Sequence, residues 1–208
     1  MTLKSKTLSH YIEVKGRFRR STNLEKDFVA AAQNGSYLIT PTAREALRRM
    51  VEGMGADSPF RAWTLTGPYG VGKSAFAVFL TRLLCGDGKQ GENARSQLEQ
   101  VDPTLTAHLR DVGLFGENSK GLLPVLATAR RTSASRCLAE GIVAAAARFK
   151  KTKTSIRNLR EKLKSEENGH SWDTRLVVEA ISSLSEMAGA AGYRGVLLVV
   201  DELGKLFE

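Results

Sequence analysis

The chain has 208 residues, 42% hydrophobic and 25% charged, ordinary globular usage that excludes a chain disordered throughout; the length suits one domain with a sizeable core, not two large ones. Lys and Arg number 31 against 22 Asp and Glu, a formal charge of +9, which favours polyanion partners without naming one. The opening MTLKSKTLSHYIEVKG has no signal-type apolar core, the apolar run Val196 to Val200 is too short to cross a bilayer, and Cys85 and Cys137 show neither zinc nor disulfide spacing, so the expected setting is cytoplasmic, with reduced thiols.

Residues 1–20 carry Lys4, Lys6, Lys15, Arg17, Arg19 and Arg20 and read as a basic arm. Ser21 or Thr22 is expected to cap a short helix through Leu24, Phe28 and Ala32, ending near Asn34-Gly35. Tyr37 to Ile39 is extended. Thr40-Pro41 then starts a second helix, with its apolar face at Ala43, Leu47, Met50 and Val51 and its stop at Gly53. Ala62 to Thr66 (AWTLT) has strand composition. Lys73 to Leu84 is an amphipathic helix ended by Gly86-Asp87-Gly88, and a polar loop runs to about Glu92. Asn93 to Val112 is a helix or a helix pair broken at Asp102-Pro103.

Leu122 to Thr128 (LLPVLAT) reads as a second strand, placed at a sheet edge because Pro124 has no N–H for a ladder. Ser133 or Ser135 opens an alanine-rich helix to Phe149. Lys150 to Glu167 is charged and helix-prone, and Trp172-Asp173 opens a helix to about Gly189. Val196 to Val200 (VLLVV) is a third strand, expected to be buried on both faces. Strands alternating with helices predict an α/β fold, with a parallel sheet flanked by helices.

Gly67-Pro68-Tyr69-Gly70-Val71-Gly72-Lys73-Ser74 fits G-x-x-x-x-G-K-[ST] at every fixed position. Triphosphate oxygens need several converging N–H donors. Glycines let the backbone wrap that closely, and the following helix aims its N-terminus at the anion. Lys73 supplies a cation for the β- and γ-phosphates, and Ser74 a hydroxyl for Mg²⁺. A chance glycine-rich turn would lack the strand before and the amphipathic helix after. The eight residues are the candidate ATP-binding set; the side chains of Tyr69 and Val71 have no assigned role. VLLVV runs into Asp201-Glu202, at the carboxyl end of a strand, where open α/β sheets bind ligands. Asp201 suits a Mg²⁺ shell and Glu202 a general base for water.

GPYGVGKS followed by VLLVVDE resembles the Walker A and Walker B motifs of P-loop ATPases of the additional-strand, catalytic-glutamate group. The nearest likeness is to AAA+ and STAND-type ATPases, including the origin-recognition-like prokaryotic branch, from about Ala62 to Glu208. The resemblance implies a P-loop NTPase domain over residues 21–208, with a helical insert at about 130–190. It implies phosphate and metal roles for Lys73 and Ser74, a metal role for Asp201 and a base role for Glu202. It also implies an adenine-contacting stretch at Tyr37 to Pro41. Such domains continue past Walker B with further strands, a polar sensor and an arginine finger. The C-terminal part of the domain is therefore expected to be missing here, with the sheet completed by a C-terminal extension or a protein partner and the isolated chain poorly soluble or oligomeric.

Lys150, Lys151, Lys153, Arg157, Arg160, Lys162 and Lys164 crowd one stretch, with Ile156, Leu159 and Leu163 at helical spacing. Contact with nucleic acid competes with a solvated charged face, and Glu161, Glu166 and Glu167 favour the latter. The leading functional expectation is an ATPase module driving conformational change in a larger nucleic-acid or defence-related assembly. The alternative is a non-catalytic nucleotide-binding fragment. A small-molecule kinase is disfavoured, because the Asp201-Glu202 pair suits water activation.

Overall fold

A computed structural model describes residues 21–30, 37–55, 58–85, 88–115, 119–165 and 174–206. The expected basic arm and the helix start at Trp172-Asp173 lie outside the described residues. In chain order come α1 (Leu24–Val29), α2 (Pro41–Glu52), α3 (Lys73–Cys85), α4 (Lys89–Val101), α5 (Pro103–Asp111), β1 (Leu123–Thr128), α6 (Ala134–Ala146), α7 (Thr154–Ser165), α8 (Thr174–Ala190), β2 (Val196–Asp201) and a 3₁₀ turn (Leu203–Leu206).

Helix starts follow side-chain capping. Thr40 Oγ1 accepts from Ala43 N, and Pro41 follows at the first turn. Asp102 Oδ1 accepts from Leu105 N at the start of α5, and Ser133 Oγ from Arg136 N at the start of α6. For α1 the cap is Asn23, not Ser21 or Thr22. Its Oδ1 accepts from Lys26 N while its own N–H donates to Asp27 Oδ2, a reciprocal pair that neither hydroxyl residue completes. α4 begins at Lys89, inside the expected polar loop, because Gly91, Ala94 and Leu98 form its buried stripe.

β1 and β2 pair in parallel, from Leu123↔Val196 to Thr128↔Asp201. Helices lie on both faces. Leu197 packs on the core shared by α2 to α5, and Leu126 and Val199 pack with Ala77 and Val78 of α3. On the other face Leu123, Val125 and Val196 join the core of α6, α7 and α8. α3 runs against the strand direction. Its Leu84 carbonyl accepts from Leu122 N (2.9 Å) at the start of β1, while its second turn meets Leu126 and Val199 further along. The first turn of α3 therefore lies at the carboxyl end of the strands.

Two strand expectations change. Residues 61–68 are exposed throughout, and residues 62–66 make no backbone–backbone hydrogen bond with another described residue, so AWTLT is an extended segment without a strand partner among the described residues. VLLVV is a strand but is only partly buried; Leu198, at its centre, is 43% exposed. Composition supplied the apolar surface, but among the described residues only β1 covers an edge of β2.

Candidate functional site

The loop Gly67–Gly72 joins the extended segment to α3. Gly70 and Gly72 hold φ at +83° and +90°, a left-handed region that glycine enters at little cost. A Cβ at either would meet nothing within 4 Å. Conformation, not crowding, therefore requires glycine there. Lys73 Nζ donates to the carbonyls of Gly67 (2.7 Å) and Pro68 (2.8 Å), holding the ammonium over the loop. The first intrahelical bond runs from Phe76 N to Gly72 O, so the N–H groups of Lys73, Ser74 and Ala75 precede the ladder. Tyr69 and Val71 are 90% and 60% exposed, and a Val71 methyl lies against Gly67 within the loop.

Asp201 ends β2. Side chains alternate along a strand, so Asp201 shares the α3-facing side with Leu197 and Val199. Its Oδ1 accepts from Glu202 N at 2.9 Å. Glu202 stands at φ +56°, a left-handed conformation for a residue with a side chain, and its carboxylate pairs with Lys205. The glycine loop and the Asp201-Glu202 pair thus occupy the same end of the sheet. No hydrogen bond or ion pair joins them directly. α1 intervenes: Leu24, fully buried, is wedged between Ala77 and Val78 of α3 and Leu126 and Val199 of the strands.

A cleft of about 710 Å³ opens at this end, lined in part by Thr128, Arg130, Arg131, Asp201, Glu202 and Lys205. Ser21 to Asn23 and Ala129 also line it, and Ser21 Oγ reaches Tyr69 OH of the glycine loop at 3.4 Å. Sequence reasoning missed Thr128, Arg130 and Arg131. The usable signal was that the second strand ends in Thr128 at the level of Asp201. The Thr128 N–H donates to Glu25 Oε1 (3.1 Å), and its Oγ1 is buried with no partner. Beneath the cleft, burial pushes the Cys137 thiol up, with Glu140 and Glu25 adding to the shift and Arg130 opposing it. Cys85 and Cys137 are both buried.

In the stretch expected to meet adenine, the Tyr37 ring stacks on Phe79 of α3 at 4.8 Å, and burial raises its hydroxyl pKa. Leu38, 80% exposed, and the exposed Thr40 and Pro41 are the residues of that stretch that face solvent. In α7, Ile156 and Leu159 are buried in the core shared with α6 and α8. Lys153 pairs with Glu186, Lys164 with Glu161, and Arg157 donates to Thr154 Oγ1. These pairings match a solvated face that is partly neutralised.

No protein-family model matches the chain, and no curated protein or solved structure is detectably similar to it. Among the described residues no group of three or more His, Cys, Asp or Glu is arranged to hold a metal ion, and no helix is long and apolar enough to cross a membrane.

Proposed function

We propose that the chain is the ATP-binding portion of a P-loop NTPase, acting as an ATPase module that couples nucleotide turnover to conformational change in a larger assembly. The observation that carries this reading is the phosphate loop. Two glycines in left-handed conformations and a lysine folded over the loop stand at the start of a 13-residue helix. The free N–H groups of a helix N-terminus stand there beside a lysine cation, the chemistry a polyphosphate needs.

The residues present also fit Mg²⁺. Ser74 opens the helix, and Asp201 stands on the α3-facing side of β2. A hydroxyl, one carboxylate and phosphate oxygens form the oxygen-only set that Mg²⁺ takes, most of its ligands coming from phosphates and water. When bound, the ion would neutralise charge on the phosphates. Lys73 binds and orients the phosphates, and Ser74 and Asp201 would hold the ion. Glu202 accepts the proton of the attacking water as the bond to the γ-phosphorus forms and the bond to the leaving oxygen breaks. For that task its carboxylate exchanges Lys205 for water. The non-catalytic alternative draws on the lack of any direct contact between the acidic pair and the loop.

ATP turnover in a hydrolysis-competent assembly, with and without DNA, tests the proposal. Glu202→Gln should retain ATP binding and lose about 10²–10⁴-fold in turnover, the usual worth of a positioned base. Turnover at the wild-type rate would remove Glu202 from the base role. Asp201→Asn should weaken only the Mg²⁺-dependent part of binding.

A further inference from the structure

The cleft at the carboxyl ends of the strands is lined by charges of both signs. The cations Arg130, Arg131 and Lys205 share it with the carboxylates of Asp201 and Glu202. No residue of the glycine loop belongs to its lining. These charges are not all spent on one another. Lys205 pairs with Glu202. Asp201 engages only Oδ1, which accepts from Glu202 N. Its Oδ2 and the Arg130 guanidinium have no partner among the described residues, so Arg130 and Asp201 line one cleft without pairing.

An exposed arginine without a partner is ordinary by itself. Here it stands beside a hydroxyl that is not ordinary. Thr128 lies opposite Asp201 in the strand register, and its Oγ1 is buried without a hydrogen-bond partner. Such a group costs free energy and calls for an explanation. One rotamer step about the Cα–Cβ bond moves the hydroxyl to another staggered position, and the open space beside Thr128 is the cleft.

A ligand that satisfies all three groups needs acceptor oxygens for a guanidinium and a hydroxyl, and an O–H donor for a carboxylate oxygen. Sulfate and chloride have no donor, and a neutral alcohol has no charge. Hydrogen phosphate has both. We infer that the cleft is a binding site for hydrogen phosphate, held through its oxygens by Arg130 and Thr128 Oγ1 and through its P–O–H by Asp201 Oδ2. That this ion is the product of hydrolysis rests on the ATPase reading above; the site itself does not. Under that reading Asp201 serves two roles in turn, metal ligand while the nucleotide is intact and acceptor for hydrogen phosphate afterwards.

The test titrates inorganic phosphate or sulfate into the full chain at neutral pH and constant ionic strength, followed by calorimetry and amide chemical shifts. Saturable phosphate binding should shift the amides of residues 128–131. It should weaken at least about tenfold in Arg130→Gln, and sulfate should bind at least about tenfold more weakly than phosphate, because each loses a charge-assisted contact. Asp201→Asn should bring the two anions within about threefold of each other, since an amide can donate where a carboxylate cannot. Thr128→Val should weaken phosphate binding and raise the melting temperature of the free protein, because the orphan hydroxyl is gone. A merely structural hydroxyl would not give both effects. Methyl phosphate separates the free ion from the end group of a larger ester: it should bind more weakly, and tighter binding would overturn the free ion as the occupant. Lys73→Ala should leave phosphate binding unchanged. Loss of binding in Lys73→Ala, with shifts confined to the glycine loop, would place the anion there and overturn the inference. Equal affinity for sulfate and phosphate, or no saturable binding, would overturn it too. Lys73-dependent ATP binding beside a silent cleft would sink this inference and spare the nucleotide reading.

Discussion

Glu202 is the one non-glycine residue among those described with a positive φ, and such backbone costs about 1–3 kcal/mol that the surroundings must offset. Its ion pair with Lys205 is partly exposed on both sides and, like most surface pairs, is worth under about 1 kcal/mol. Glu202→Gly should therefore leave stability within about 1 kcal/mol of wild type, because relief of the left-handed backbone offsets the lost pair. The same change should abolish turnover in a competent assembly. A loss of stability well beyond 1 kcal/mol in denaturant titration would show that the side chain, not the backbone, holds the strand end. Gly72→Ala has the opposite logic. Open space surrounds the position, so its whole cost is conformational, about 1–2 kcal/mol at φ +90°. That cost falls on the loop proposed to hold the phosphates. ATP affinity should drop while the helical circular-dichroism signal stays, and unchanged affinity would argue that the loop conformation does not matter.

α1, with 6 residues, is too short to be stable alone, so its attachments decide whether it forms. Leu24 is fully buried. Arg82 of α3 donates to the carbonyls of Asp27 and Ala30, Gln90 donates to Ala30 O, and Glu25 accepts from Thr128 N. Leu24→Ala should cost about 2–4 kcal/mol, the range for a buried leucine. It should also speed amide exchange over residues 26–30 before other helices respond; equal exchange in both proteins would deny α1 its wedge role. Capped helices were legible in the sequence because capping is local: Thr40-Pro41 and Asp102-Pro103 announce α2 and α5. The start of α4 was not, because Gly91 gains its place from packing, not from propensity. AWTLT has a strand's composition, but a strand is a property of a pair, and no local signal reports an absent partner. In the same way the left-handed glycines of the loop before α3 were legible as one contiguous segment. The cleft was not, because Ser21, Thr128, Arg130 and Asp201 meet only through the fold.

At the scale of the molecule, two helical cores flank a two-strand sheet, and the exposed stretch leading into the glycine loop touches the end of α2 through Phe60 and Trp63 at Gly53. Stability should be uneven in consequence, because buried contacts set local opening energies. Amides at Leu83, Leu109, Ala139 and Leu184 should exchange slowly, and those of residues 62–66 at nearly unfolded rates. Uniform protection would place residues 62–66 in a cooperative unit that the hydrogen bonding does not describe. The sheet, α3 and the glycine loop nonetheless bring one cation and a set of backbone donors to one end of the fold, and phosphate binding there is the central claim. Titration of the chain with a fluorescent ATP analogue and Mg²⁺, for wild type and Lys73→Ala, tests it most directly. One charge-assisted contact is worth about 1.5–3 kcal/mol, roughly 10–100-fold in affinity. The account predicts saturable binding that Lys73→Ala weakens by that factor with the melting profile unchanged; equal affinity in the two proteins would contradict it.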